Sequence, residues 1–113
     1  MEKRVELNLL FDFYGALLTG HRQELMRAYI EEDLSLKEIA DEFGITRQGV
    51  HDAITKAQEQ LEEYERKLGL LKRYRRLSNS ARRCREELLL VQQGDIQALD
   101  RALYALNDIE DTE

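Results

Sequence analysis

Arg47, Gln48, His51, Thr55 and Lys56 lie in one short stretch, at spacings that share an outward surface if the stretch is helical. The guanidinium of Arg47 matches the two acceptors on a guanine edge, and the amide of Gln48 matches the donor and acceptor on an adenine edge. His51, Thr55 and Lys56 follow one and two turns later, suited to base or phosphate contact. Asp52 stands among them. The exposed charge from 46 to 56 is only about +1, so nonspecific attraction to phosphate would be weak, leaving affinity modest.

Those side chains need a rigid platform, and the residues just before them describe one. Ser35 with Glu38 three positions on forms a capping box. Leu36, Ile39, Ala40 and Phe43 then recur at helical spacing and give one apolar face. Gly44 follows where a helix ending in a left-handed residue calls for glycine. Thr46 can cap a second helix, with Val50, Ala53 and Ile54 inward. Ala40 is small enough for two helices to cross closely, and Ile45 is expected to plug the gap between them. The order of these signals predicts a helix-turn-helix, in which Ser35 and Lys37 could hold a nucleic-acid backbone.

On the N-terminal side, Leu7, Leu10, Phe11, Tyr14, Leu17 and Leu18 share one helical face, so a first helix is expected over 1–18. Thr19 caps a second over about 20–32, with Leu25, Met26, Tyr29 and Ile30 inward; His21 and Arg22 in its first turn are read as solvated. On the C-terminal side, Val50, Ile54, Ala57, Leu61, Tyr64, Leu68 and Leu71 alternate steps of four and three, which is a heptad seam. Such a seam serves either a core within the chain or a second copy. A homodimer is the expected use, because a two-fold protein matches a palindromic site.

Past Gly69, the window 72–85 contains Lys72, Arg73, Arg75, Arg76, Arg82, Arg83 and Arg85 with no acid, and leaves −13 on the rest of a chain whose net charge is −6. A basic block with Tyr74 interleaved can follow a phosphate backbone and stack a base. The neighbouring acids, Glu59 to Glu65 and the C-terminal end, could equally answer it within the protein. Ser78-Asn79-Ser80 reads as a helix break with a new cap. Leu88, Leu89, Val91, Ile96, Leu99, Ala102, Leu103 and Leu106 then describe a helical hairpin with apolar inner faces, its turn at Gln93-Gly94-Asp95.

Composition bounds the rest. The 113 residues hold no proline, six glycines and 35% charged residues, which fits an all-α chain. The acidic balance argues against a protein that coats nucleic acid. One cysteine, Cys84, allows no internal disulfide and suits a reducing cytoplasm; no apolar run spans a membrane. Two histidines and that cysteine lack the close spacing of a metal site, and no nucleophile–base set or phosphate loop is present. Neither catalysis nor a cofactor or metal is expected.

Four segments stand in order: Phe11-Asp12-Phe13-Tyr14-Gly15-Ala16-Leu17-Leu18-Thr19, Asp33-Leu34-Ser35-Leu36-Lys37-Glu38-Ile39-Ala40, Thr46-Arg47-Gln48-Gly49-Val50-His51-Asp52 and Glu65-Arg66-Lys67-Leu68-Gly69-Leu70-Leu71. Together they resemble the YlxM family of small helix-turn-helix proteins of Gram-positive bacteria, whose genes accompany those of the signal recognition particle. The middle part alone is similar to the promoter-reading helix-turn-helix of sigma factor region 4. The resemblance implies a core of three or four helices, winged-helix-like but without a sheet, and a long C-terminal helical extension. Residues 1–68 are expected to form the helix-turn-helix domain with its long recognition helix, and 69–113 a helical extension that carries the basic segment and dimerises. Its implied partners are DNA, with RNA or signal recognition particle components as the alternative.

Overall fold

The computed structural model describes residues 3–111 and contains six α-helices, with no strand among the described residues. The chain divides into two compact units, Met1–Gly69 and Leu70–Glu113.

In the first unit, α1 spans Lys3–Tyr14 and is followed by a 3₁₀ turn, Gly15–Leu17. The helix expected to run to residue 18 therefore stops earlier. A Cβ on Gly15 would stand 2.9 Å from the Phe11 ring, so glycine is what lets the chain turn against that ring. The turn points Leu17 outward, 53% exposed, and buries Leu18 instead. α2 (Gly20–Ile30) starts on the cap expected at Thr19, whose hydroxyl accepts from the Arg22 amide. Leu25 and Met26 are buried, whereas Tyr29 and Ile30 are half-buried. Arg4 ties α1 to the end of α2, donating to the Tyr29 carbonyl at 2.7 Å with its guanidinium over the Tyr29 ring.

α3 (Leu36–Phe43) opens with the reciprocal Ser35–Glu38 capping box and closes at Gly44, whose φ of +68° is left-handed. That conformation costs a residue with a Cβ roughly 1–2 kcal/mol. Thr46 caps α4 (Arg47–Leu68), its hydroxyl accepting from the Gly49 amide at 2.9 Å. Ile39 and Ala40 are buried against the start of α4, but Ile45 is 38% exposed, so the expected plug lies at the rim of the crossing instead of inside it.

The heptad seam is resolved here. α4 packs on α1, α2 and α3, and Val50, Ile54, Ala57 and Leu61 are buried within this unit. They are core residues of this unit, so this part of the row serves the core within the chain, the alternative to a second copy. Tyr64 is half-buried, its ring 6.0 Å from that of Tyr14 and its hydroxyl accepting from Gln60. Leu68 is 57% exposed, and Gly69, with φ +66°, ends the helix before Leu71 can continue the pattern.

The second unit is an antiparallel hairpin of α5 (Leu70–Gln92) and α6 (Ala98–Asp111). Its turn lies where the sequence indicates, with Gly94 at φ +106° and the Asp95 carboxylate accepting from the Ala98 amide. The break expected at Ser78-Asn79-Ser80 is absent, because α5 runs through it. Ser80 is buried and its hydroxyl donates to Asp108, so a residue that locally favours a cap becomes a polar tie between helices. The inside of the hairpin is lined by Ala98, Ala102 and Ala105, while Leu88, Leu89, Ile96, Leu99, Leu103 and Leu106 are exposed. The expected leucine interior is thus reversed. Small residues let the helix axes approach closely, and the larger side chains are displaced to the outside.

Candidate nucleic-acid interface

The start of α4 is held from behind and open in front. Val50 and Ile54 anchor its inner face, the Thr46 cap fixes its first turn, and Ala40 sets the distance to α3. Arg47, Gln48, His51, Thr55 and Lys56 are all exposed on the opposite side, as are Ser35 and Lys37 at the start of α3. Leu36, Arg47, Gln48 and His51 line one shallow depression of about 380 Å³, which brings the beginnings of the two helices to a common surface. The edge of His21 meets the Phe43 ring, centroids 5.9 Å apart, and so braces α2 against the end of α3.

Asp52 has a role that its charge alone does not reveal. It accepts from the Gln48 amide at 2.9 Å and stands 3.7 Å from His51 Nδ1. The i,i+4 spacing of Gln48 and Asp52 is the signal that could have found this bond. The carboxylate fixes the Gln48 amide group and lies beside the His51 ring. Glu38 is shaped by the same cap geometry: hydrogen bonding to the Ser35 backbone, then to its side chain, holds the carboxyl below its ordinary range. Arg22, expected in solvent, is half-buried and donates to Gln60 of α4 at 2.9 Å. The Tyr14 hydroxyl donates to Glu65 at 2.7 Å, fastening the far end of the same helix to α1.

The basic segment is less unified than its sequence. All seven cations lie on α5, but a continuous helix distributes them around its circumference. Arg76 and Arg83 stand 3.0 and 3.9 Å from Asp108, Arg82 donates to Asn79, and Arg75 is half-buried. Lys72, Arg73 and Arg85 are exposed. Part of the block therefore serves the hairpin itself. The Asp108 carboxyl is held below its ordinary value of 3.8, first by the Ser80 hydroxyl and then by the Arg76 guanidinium. A depressed carboxyl contributes stability that is complete above its ordinary value and is lost as pH falls through the lowered one. Asp108→Asn is expected to remove that part of the acid-induced loss of helix, read by circular dichroism between neutral pH and pH of about 2.

Among the described residues, no cluster of three His, Cys, Asp or Glu stands close enough to hold a metal, and no helix is long and apolar enough to cross a membrane.

Residues 1–101 match the family model described as "Putative helix-turn-helix protein, YlxM / p13 like". The chain belongs to that family. Similar relatives include UPF0122 protein STH1464 of Symbiobacterium thermophilum, 47% identical over 98 residues, covering 87% of this chain and 89% of the relative. UPF0122 protein BH2485 of Halalkalibacterium halodurans is 39% identical over 112 residues, covering 99% and 97%. UPF0122 protein lwe1821 of Listeria welshimeri is 49% identical over 73 residues, covering 65% and 66%. The YlxM / p13-like assignment agrees with the resemblance carried by the four sequence segments and with the all-α helix-turn-helix unit.

Proposed function

We propose that this YlxM / p13-like chain is a DNA-binding regulator that acts in the cytoplasm and lays the first turns of α4 in the major groove. The observation that carries the reading is the contrast across α4. Its inner residues Val50, Ile54, Ala57 and Leu61 are buried, and its outer ones, Arg47, Gln48, His51, Thr55 and Lys56, are polar and exposed beside Ser35 and Lys37. Arg47 and Gln48 read base edges; His51, Thr55 and Lys56 follow the groove; Ser35 and Lys37 meet the backbone. Gln48 comes to the groove already oriented by Asp52. As a pair of such chains, the protein would read an inverted repeat.

Selection from a pool of random duplexes by the full chain tests this. Enrichment of an inverted repeat is expected, and Arg47→Ala with Gln48→Ala should weaken binding about 10- to 100-fold, since a good bidentate base contact discriminates by roughly 1–3 kcal/mol. The salt dependence should be shallow, because few cations face the groove. Absence of enrichment, or enrichment that survives the double substitution, overturns the reading. RNA of the signal recognition particle is run in parallel. Binding to it that depends on Arg73, Arg82 and Arg85 would place the function on α5, in that pathway, instead.

A further inference from the structure

The α5–α6 hairpin has two unlike flanks. One carries the ion pairs: Arg76 and Arg83 with Asp108, and Arg101 with Glu87 at 2.9 Å and Asp95 at 3.1 Å. The other is apolar. On α5, Leu77, Ala81, Cys84, Leu88 and Val91 recur at steps of four and three, and on α6 Leu99, Leu103 and Leu106 recur in the same way. In an antiparallel hairpin whose inner seam is Ala98, Ala102 and Ala105, both rows turn to the same side, away from the ion pairs. Leu88, Leu99, Leu103 and Leu106 are 40–49% exposed there.

The two rows differ in relief. Ala81 and Cys84 leave a groove on α5 of about 600 Å³, bounded by Leu88, Val91 and the stem of Arg85. α6 beside it is a ridge of leucines. A groove and a ridge on one face are the two halves of an isologous contact, in which each copy's ridge enters the other copy's groove. Among the described residues, the face holds no ion pair that a charged partner could answer. It is about 20 Å long and two helices, or about 20 Å, wide, an outline of about 400 Å². That is the size of the largest apolar patch found on a typical monomer, and such patches often mark interaction sites. Need points the same way. Leu71, Ser80 and the three alanines are the only buried residues among those described in this unit, and a core of that size is too small to hold a short hairpin without oligomerisation.

We infer that this face is where two copies of the chain meet, closing a four-helix bundle from two α5–α6 hairpins. Such a pair supplies the two-fold relation on which the inverted-repeat reading above rests, and it frees α4 from any part in dimerisation.

Sedimentation equilibrium of the full chain without DNA tests the pairing apart from DNA reading. The wild-type chain is expected at twice its 13.3 kDa. Leu103→Glu is expected to shift it to a monomer with its helical content retained. Tyr104→Glu, at a position 72% exposed and off the apolar face, is expected to leave the dimer intact. Should Leu103→Glu lose its helices, Leu103→Ala serves in its place, with at least a tenfold rise in the dissociation constant expected. A monomeric wild-type chain, or equal effects of the two glutamate substitutions, overturns the assignment. A dimer that behaves as expected but binds no duplex would leave the pairing standing and remove the DNA reading alone.

Discussion

Leu61→Ala lowers the unfolding free energy by about 3–5 kcal/mol, while Leu68→Ala, seven residues along the same heptad row, changes it by less than about 0.5 kcal/mol. Leu61 has no exposed surface and lies on the helix that packs against α1, α2 and α3. Removing its branch leaves a cavity that neighbours from several helices cannot all collapse into. Leu68 is 57% exposed in the last turn before the left-handed Gly69. The pair separates two uses of one sequence pattern. If the row served a partner chain, both substitutions would be costly and the loss would depend on protein concentration. Denaturant titration followed by circular dichroism at two widely spaced concentrations reads the difference. Near-equal effects, or a Leu61→Ala loss under 1 kcal/mol, would refute the assignment of the row to the core.

Ala40→Leu is expected to cost about 2–3 kcal/mol and to reduce DNA affinity at least tenfold in the chains that remain folded. Ala40 is 5% exposed where α3 crosses the start of α4, and its carbonyl accepts from both the Gly44 and Ile45 amides. Three extra carbons there can be accommodated only by pushing α4 away from α3 or by disturbing the turn. Either displaces Arg47 and Gln48 relative to Ser35 and Lys37, the spacing that the proposed duplex contact requires. Glu42→Leu, on the exposed side of the same helix, is the control and should leave both quantities nearly unchanged. Wild-type stability in Ala40→Leu would mean that the helices do not cross as closely as the burial of Ala40 indicates.

Local chemistry made the helix-turn-helix legible. A capping box closes between Ser35 and Glu38, a left-handed stop needs only Gly44, and Thr46 needs only the amide of Gly49. Each of these interactions spans three or four residues, so no knowledge of the rest of the fold is required. The turn at Gly94 and Asp95 was readable for the same reason. The outward set from Arg47 to Lys56 followed once the inner face was known, since helical periodicity fixes one from the other.

Periodicity does not say what a face is buried against, and this is where the sequence ran out. Val50, Ile54, Ala57 and Leu61 had to be covered, but whether by α1–α3 or by another chain is a choice among distant partners of similar apolar character. Ser80 illustrates the opposite failure. Its local preference for a cap is overridden by Asp108, 28 residues away, whose position exists only once the hairpin has closed. The leucines of α5 and α6 marked two amphipathic helices, yet the packing of Ala98, Ala102 and Ala105 against α5 turned those leucines outward. By itself, the sequence determined the helices, their caps and the polar surface of α4, because those depend on contacts within one or two turns. The tertiary structure decided which apolar rows are spent inside the chain and which remain open, because that depends on how closely whole helices can approach.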